Sequence, residues 1–117
     1  MTLFDRIGAP VVTAAITRFY ERAFVDPIIG HFFFAKDRAE ITRLQIDFAT
    51  NLLGGPRHYR GRPLGPAHAA LDIRPPHFGR RQVLMREVLT ELALTDELAE
   101  AWLALEEQLR PLILKRR

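Results

Sequence analysis

Apolar residues recur at three- and four-residue steps along nearly the whole of this sequence, and no segment alternates with the period of two that a strand requires. Val12, Ala15, Ile16, Phe19, Ala23 and Phe24 come round to one face of a helix. So do Ile41, Leu44, Phe48 and Leu52, then Phe78, Met85, Val88, Leu89 and Leu92, and finally Leu98, Trp102, Leu105, Leu109 and Leu112. The fold class is therefore all-α, with four main helices and short extra turns. A length of 117 residues, 48% of them apolar, fits one domain over residues 1–117 with a core of its own.

The boundaries carry their own signals. Thr2 followed by Asp5 reads as a cap whose acid reaches back to it, and the short helix it opens should end near Gly8. Pro10 suits the first turn of the next helix. Asp26-Pro27 reads as another cap and first turn, Asp37 as the start of a further helix, and Thr95 as a cap before Asp96 and Glu97. Gly54-Gly55-Pro56 should end a helix, Pro75-Pro76 should open one, and Pro111 should bend or end the last. Three consecutive phenylalanines, Phe32, Phe33 and Phe34, cannot share one helix face, so some must line a cavity or cover a neighbour.

Composition removes several functions. No cysteine means no disulfide, thiolate-held cluster or cysteine nucleophile. No apolar run is long enough to span a bilayer, and the first residues do not resemble a signal peptide, so a cytoplasmic location is expected. Seventeen basic against 14 acidic residues leave a net charge of +3, part of it in Lys115-Arg116-Arg117, which would complement the negative end of a last helix. No aromatic-interleaved basic stripe accompanies that charge, and no nucleic-acid partner is expected.

Two polar residues interrupt otherwise apolar faces: Tyr20 on the first long stripe and Gln45 on the second. Either they form one structural hydrogen bond, or together they address a bound polar ligand. A Gly/Pro-broken connector, Gly54 to Phe78, carries His68 next to the small residues Ala69 and Ala70. Of the other histidines, His58 lies in an Arg-rich stretch, His77 starts a helix and His31 precedes the Phe run. No pair of histidines has zinc-site spacing. One histidine alone is enough to hold a haem iron, and haem also wants an apolar, aromatic-rich slot with a few placed polar groups.

Taken together, these segments resemble the truncated haemoglobins, the two-on-two helical globins, and most of all their group I. The matching pieces run in order from Leu3-Phe4-Asp5-Arg6-Ile7-Gly8 through Phe19-Tyr20-Glu21-Arg22, Asp26-Pro27, Phe32-Phe33 and Gln45 with Phe48. They continue with Gly54-Gly55-Pro56, Tyr59-Arg60-Gly61, His68-Ala69, Ile73, His77-Phe78, Leu105-Glu106 and Leu109-Arg110. The resemblance implies a globin fold with short first and proximal helices and a haem b as cofactor. It places the proximal iron ligand at His68 and a distal, ligand-facing group at Tyr20, Gln45 and Ile41. It lines the haem pocket with Phe33, Leu44, Phe48, Leu64, Ile73 and Phe78.

Three positions depart from the family pattern. Gly8-Ala9 stands where two glycines are usual, and Leu44 replaces a basic residue that often meets a haem propionate. Arg43, Arg62 and Arg74 are the remaining candidates for that contact. Arg81 occupies a proximal-side position that is apolar or aromatic in relatives, and it is expected to reach a propionate or another carboxylate at the haem edge. The function implied is reversible binding of O₂, or of NO or CO, at the iron. A redox enzyme, acting as an NO dioxygenase or in peroxidase fashion with an electron donor of unknown identity, is the alternative. A helical globin-like module without haem is the third reading.

Overall fold

The Thr2 hydroxyl accepts from the Asp5 amide at 3.1 Å, and the Asp5 carboxylate accepts from the Thr2 amide at the same distance, closing a reciprocal cap. That cap starts α1 (Leu3–Ile7), which Gly8 ends with φ at +95°, a left-handed conformation that suits glycine. The computed structural model describes residues 1–56 and 71–114. Every regular element among these is helical: α2 (Ala9–Ala23), a 3₁₀ turn (Gly30–Phe33), α3 (Arg38–Leu52), α4 (Pro75–Glu91), α5 (Asp96–Glu107) and α6 (Arg110–Ile113). Asp37 and Thr95 cap α3 and α5 by accepting from Glu40 and Leu98 amides, and Pro10 and Pro75-Pro76 stand in first turns.

Helix α2 packs on α3 and on α4, α4 packs on α5, and α1 closes against α2 and α5. The result is two helix pairs, α2/α3 and α4/α5, joined through α2 and α4. The closed core lies where they meet, at Val12, Phe19, Met85, Val88, Leu89 and Trp102. Arg80 of α4 reaches across to Asp26 in the turn after α2, with nitrogen–oxygen distances of 3.0 and 2.7 Å. The other Asp26 oxygen accepts from the Ile28 and Ile29 amides at 3.0 and 3.1 Å. Asp26 therefore caps a turn and an interhelical ion pair rather than the helix its Asp-Pro pattern predicts, and only the 3₁₀ turn follows.

Two further expectations shift. Pro111 does not bend a continuous last helix: α5 ends at Glu107 and Pro111 lies in the first turn of the separate α6. The face of α5 turned to the core is Ala99, Trp102, Leu103 and Glu106, while Leu98 and Leu105 are half-buried and Leu112 is exposed. A buried glutamate falls out of any stripe drawn through apolar residues alone. Phe34, in contrast to Phe32 and Phe33, is 87% exposed.

At the end of α3, Gly54 has φ at +92° with Thr2 against it, and the Phe4 amide donates to the Leu53 carbonyl at 2.8 Å. A Cβ on Gly55 would stand 2.8 Å from Phe4 Cγ and from Thr50 Cγ2, too close for any other residue without rearrangement. α1 thus seats directly on the start of the connector that leads to residue 57 and onward.

Candidate functional site

A cavity of about 330 Å³ opens between α2, α3, α4 and the 3₁₀ turn, within the size range of small-molecule and cofactor pockets. Helix α2 contributes Phe19 and Tyr20, and the turn contributes Phe32 and Phe33. Helix α3 presents Ile41, Leu44 and Gln45, at the three- and four-residue steps that put them on one face. Leu71 and Ile73, with His77, Phe78 and Arg81 of α4 and Ile113 of α6, complete the lining. Among the described residues of α3, only Ala49 joins the closed core. The apolar face of that helix borders a cavity instead.

Tyr20, Phe33, Ile41, Leu44, Gln45, Ile73, Phe78 and Arg81 all line this space. Phe48 does not: it is half-buried one turn farther along α3 than Gln45, beyond the described lining. His68 and Leu64 lie outside the described residues, as do His58 and Arg62. Tyr20 is 8% exposed, and its ring meets Phe19 edge-on at 4.9 Å and Phe33 edge-on at 5.7 Å. Phe33 in turn stacks on Phe24 at 4.9 Å with the planes 17° apart. Tyr20 is thus held by aromatic packing on a wall of the cavity, with Gln45 on another helix of the same cavity.

The two described histidines differ from a metal ligand in identifiable ways. His31 is exposed and lies against the Phe32 ring at 4.1 Å. His77 does line the cavity, but its Nδ1 accepts from the Arg74 amide at 2.9 Å. A neutral imidazole that accepts at Nδ1 carries its proton on Nε2, so the nitrogen left facing outward is a donor with no lone pair for a metal. Its role here is to cap α4. Among the described residues no group of three or more His, Asp or Glu could hold a metal ion.

Arg81 is where sequence and structure differ most. Its Cζ lies 4.9 Å from the Phe19 ring centroid and 6.0 Å from that of Phe78. It therefore stands against α2, the helix that carries Tyr20. Its Nη1 donates to Glu106 Oε1 at 2.7 Å and to Gln82 Oε1 at 2.6 Å, and its Nη2 donates to Glu106 Oε2 at 3.1 Å. The indole Nε1 of Trp102 donates to the same Glu106 Oε2 at 3.0 Å. The carboxylate that Arg81 reaches is thus a buried one of the protein itself. Burial opposes the charge on Arg81, but Glu106, with Tyr20 adding to it, outweighs burial and holds the guanidinium firmly protonated. No apolar period could have paired these two residues, because each looks like an exception on its own helix.

The rim is charged. Lys36, Asp37 and Glu40 line the mouth; of these, the sequence marks only Asp37, as a helix cap. Asp37 caps α3 and Glu40 pairs with Arg43 at 2.7 Å, while Arg74 holds Asp72 at 2.7 and 3.0 Å. Two of the three arginines proposed for a propionate are thereby engaged elsewhere and lie off the lining. Lys36 has no carboxylate within ion-pair reach among the described residues. An apolar, aromatic-walled slot with two uncharged polar groups inside and a cation at its mouth fits a flat, largely apolar cofactor with acidic substituents.

The chain matches the bacterial-like globin family over residues 2–114. A group 1 truncated haemoglobin of Tetrahymena pyriformis is 34% identical to it over 96 residues, covering 81% of this chain and 79% of that protein. One from Tetrahymena thermophila is 31% identical over 98 residues, covering 83% and 81%. The crystal structure of the truncated haemoglobin of T. pyriformis in its Fe(III) form superposes with a TM-score of 0.94 at 31% identity, covering 99% of this chain and 100% of that one. The 2/2 haemoglobin of Synechococcus sp. PCC 7002 superposes with a TM-score of 0.92 at 27% identity, covering 99% and 100%. Sequence and helix arrangement agree, and the chain belongs to the bacterial-like globin family as a truncated haemoglobin of the group 1 type.

Proposed function

We propose that the cavity holds a haem b and that the protein binds O₂, or another diatomic gas such as NO or CO, reversibly at its iron. Membership of the globin family implies the haem, which when bound supplies the iron at which the gas is held. His68 provides the proximal imidazole. His77 is instead tied through Nδ1 to the Arg74 amide at the start of α4. Tyr20 would donate a hydrogen bond to a gas ligand held in the cavity, and Gln45 would donate to that ligand or orient Tyr20. Such bonds are stronger in a dry pocket than in water, so release is slow. Ile41 and Leu44 keep their part of the lining apolar, while Phe33 would pack on the cofactor and Lys36 would pair with an acidic substituent of it at the mouth.

The observation that carries this reading is the pairing of Tyr20 and Gln45, from two helices, on the walls of one aromatic-lined cavity. The absorption spectrum of protein supplied with haem tests it. A Soret band is expected in the wild type and in His77→Ala, and its loss is expected in His68→Ala. A band that survives His68→Ala but not His77→Ala would reverse the ligand assignment.

A further inference from the structure

Rather than a lone charge, the cavity receives one end of an oriented ion pair. Glu106 has its side chain 4% exposed and sits behind Arg81, fixed from the core by Trp102, while Arg81, 24% exposed, reaches the cavity surface. The positive end faces the space and the negative end faces the core. An anion in the cavity is then nearer the cation than its counter-charge, and in a medium of low dielectric that difference is large. A neutral ligand feels little of it.

Donor capacity points the same way. A guanidinium has five N–H groups in a planar fork. Both hydrogens of Nη1 are engaged, by Gln82 and Glu106, and one of Nη2, by Glu106. The Nε–H and the second Nη2–H have no acceptor among the described residues. The Phe19 and Phe78 rings hold the fork in place without using those hydrogens.

We propose that Arg81 is a specificity-determining residue, which makes this cavity favour small inorganic anions over neutral diatomic ligands by presenting, against α2, a fixed cation with two N–H groups that no described residue engages. The proposal rests on the haem reading, since the iron is where the anion would be held. It differs from an arginine whose work ends at a structural ion pair, because such a pair would alter all ligands alike.

The test uses the haem-loaded full chain, with azide titrated into the ferric protein and CO into the ferrous protein. Wild type is compared with Glu106→Gln and with a double variant combining Arg81→Leu and Glu106→Gln. The amide oxygen still accepts from Trp102 in both variants; the double variant keeps no charge there, and in Glu106→Gln the Arg81 cation, 24% exposed at the cavity, stays without its carboxylate. In the double variant azide should bind about ten- to a hundredfold more weakly, the size of one charge-assisted hydrogen bond, with CO changed less than about threefold. In Glu106→Gln alone, with the counter-charge gone and the cation kept, azide should bind more tightly. Equal azide affinity in the wild type and the double variant overturns the proposal, and so does a parallel loss of azide and CO binding. If the double variant does not fold, Glu106→Gln decides alone, and unchanged or weakened azide binding there overturns it. A wild type without a Soret band overturns the haem reading and this proposal together. A normal band with azide indifferent to Arg81 overturns the proposal alone.

Discussion

Replacing Arg81 by leucine should cost far more stability than replacing Arg81 and Glu106 together. In the wild type the Glu106 carboxylate, 4% exposed, takes three hydrogen bonds: 2.7 and 3.1 Å from Arg81 and 3.0 Å from Trp102. Arg81→Leu removes two of the three and the only counter-charge in contact among the described residues, and leaves a buried carboxylate facing an indole. Breaking a buried pair by deleting one partner costs about 3–5 kcal/mol. The partial exposure of Arg81 to the cavity lets water reach the site, so about 3 kcal/mol is the working figure, against a total of about 5–15 kcal/mol for an ordinary domain. The double variant Arg81→Leu with Glu106→Gln keeps an acceptor for Trp102 and buries no charge, and should lie within about 1 kcal/mol of wild type. Urea unfolding followed by circular dichroism at pH 7, with all proteins in the same haem state, measures both. A double variant as unstable as the single one would refute the reasoning, since the loss would then come from the packing of the arginine stem on Phe19 and Phe78.

Two other outcomes follow from the same geometry. Tyr20→Phe should speed O₂ dissociation by about tenfold or more, the worth of one hydrogen bond in a dry pocket, measured by stopped-flow displacement; an unchanged off-rate would remove Tyr20 from the distal role. The Arg80 guanidinium, and then the Ile28 and Ile29 amides, hold the Asp26 carboxyl below the usual carboxylate range against the opposing effect of burial. A depressed folded value means that Asp26 stabilises the protein fully above its unfolded pKa, near 3.8, and that this contribution fades as pH falls through the lower folded value. Asp26→Asn should therefore flatten the acid limb of stability below about pH 4, and an unaltered limb would mean that other carboxylates carry it.

What could be read from the sequence was what local chemistry decides. The caps at Thr2, Asp37 and Thr95 depend on residues three apart, and the faces of α2 and α4 on turns of one helix, so each was visible in a short window. Tyr20 and Gln45 were visible for the opposite reason, as polar residues on faces otherwise apolar. The face of α5 was drawn wrongly because Glu106 is buried by a partner 25 residues away in sequence, Arg81. Read separately, each residue breaks the pattern of its helix; paired, they account for each other. Lys36 escaped notice because the turn that puts it at the cavity mouth runs through Ala35 with φ at +70°, a conformation marked by glycine far more often than by alanine. Asp26-Pro27 carried the pattern of a helix start, but Arg80, far along the chain, claimed the carboxylate.

The seat of α1 on the end of α3 has a kinetic consequence. A helix of five residues does not persist alone, so α1 is stable only where the Phe4 amide finds the Leu53 carbonyl and Gly54-Gly55 make room for Thr2 and Phe4. Closing that contact spans about fifty residues and carries an entropic cost on the order of 3–4 kcal/mol, which is recovered only once α2 and α3 already stand side by side. Docking of α1 therefore comes late, and Phe4→Ala should speed unfolding in a chevron while leaving the folding limb nearly unmoved. The chain leaving Gly55 takes its starting point from that late step, so it is anchored after the two helix pairs have packed.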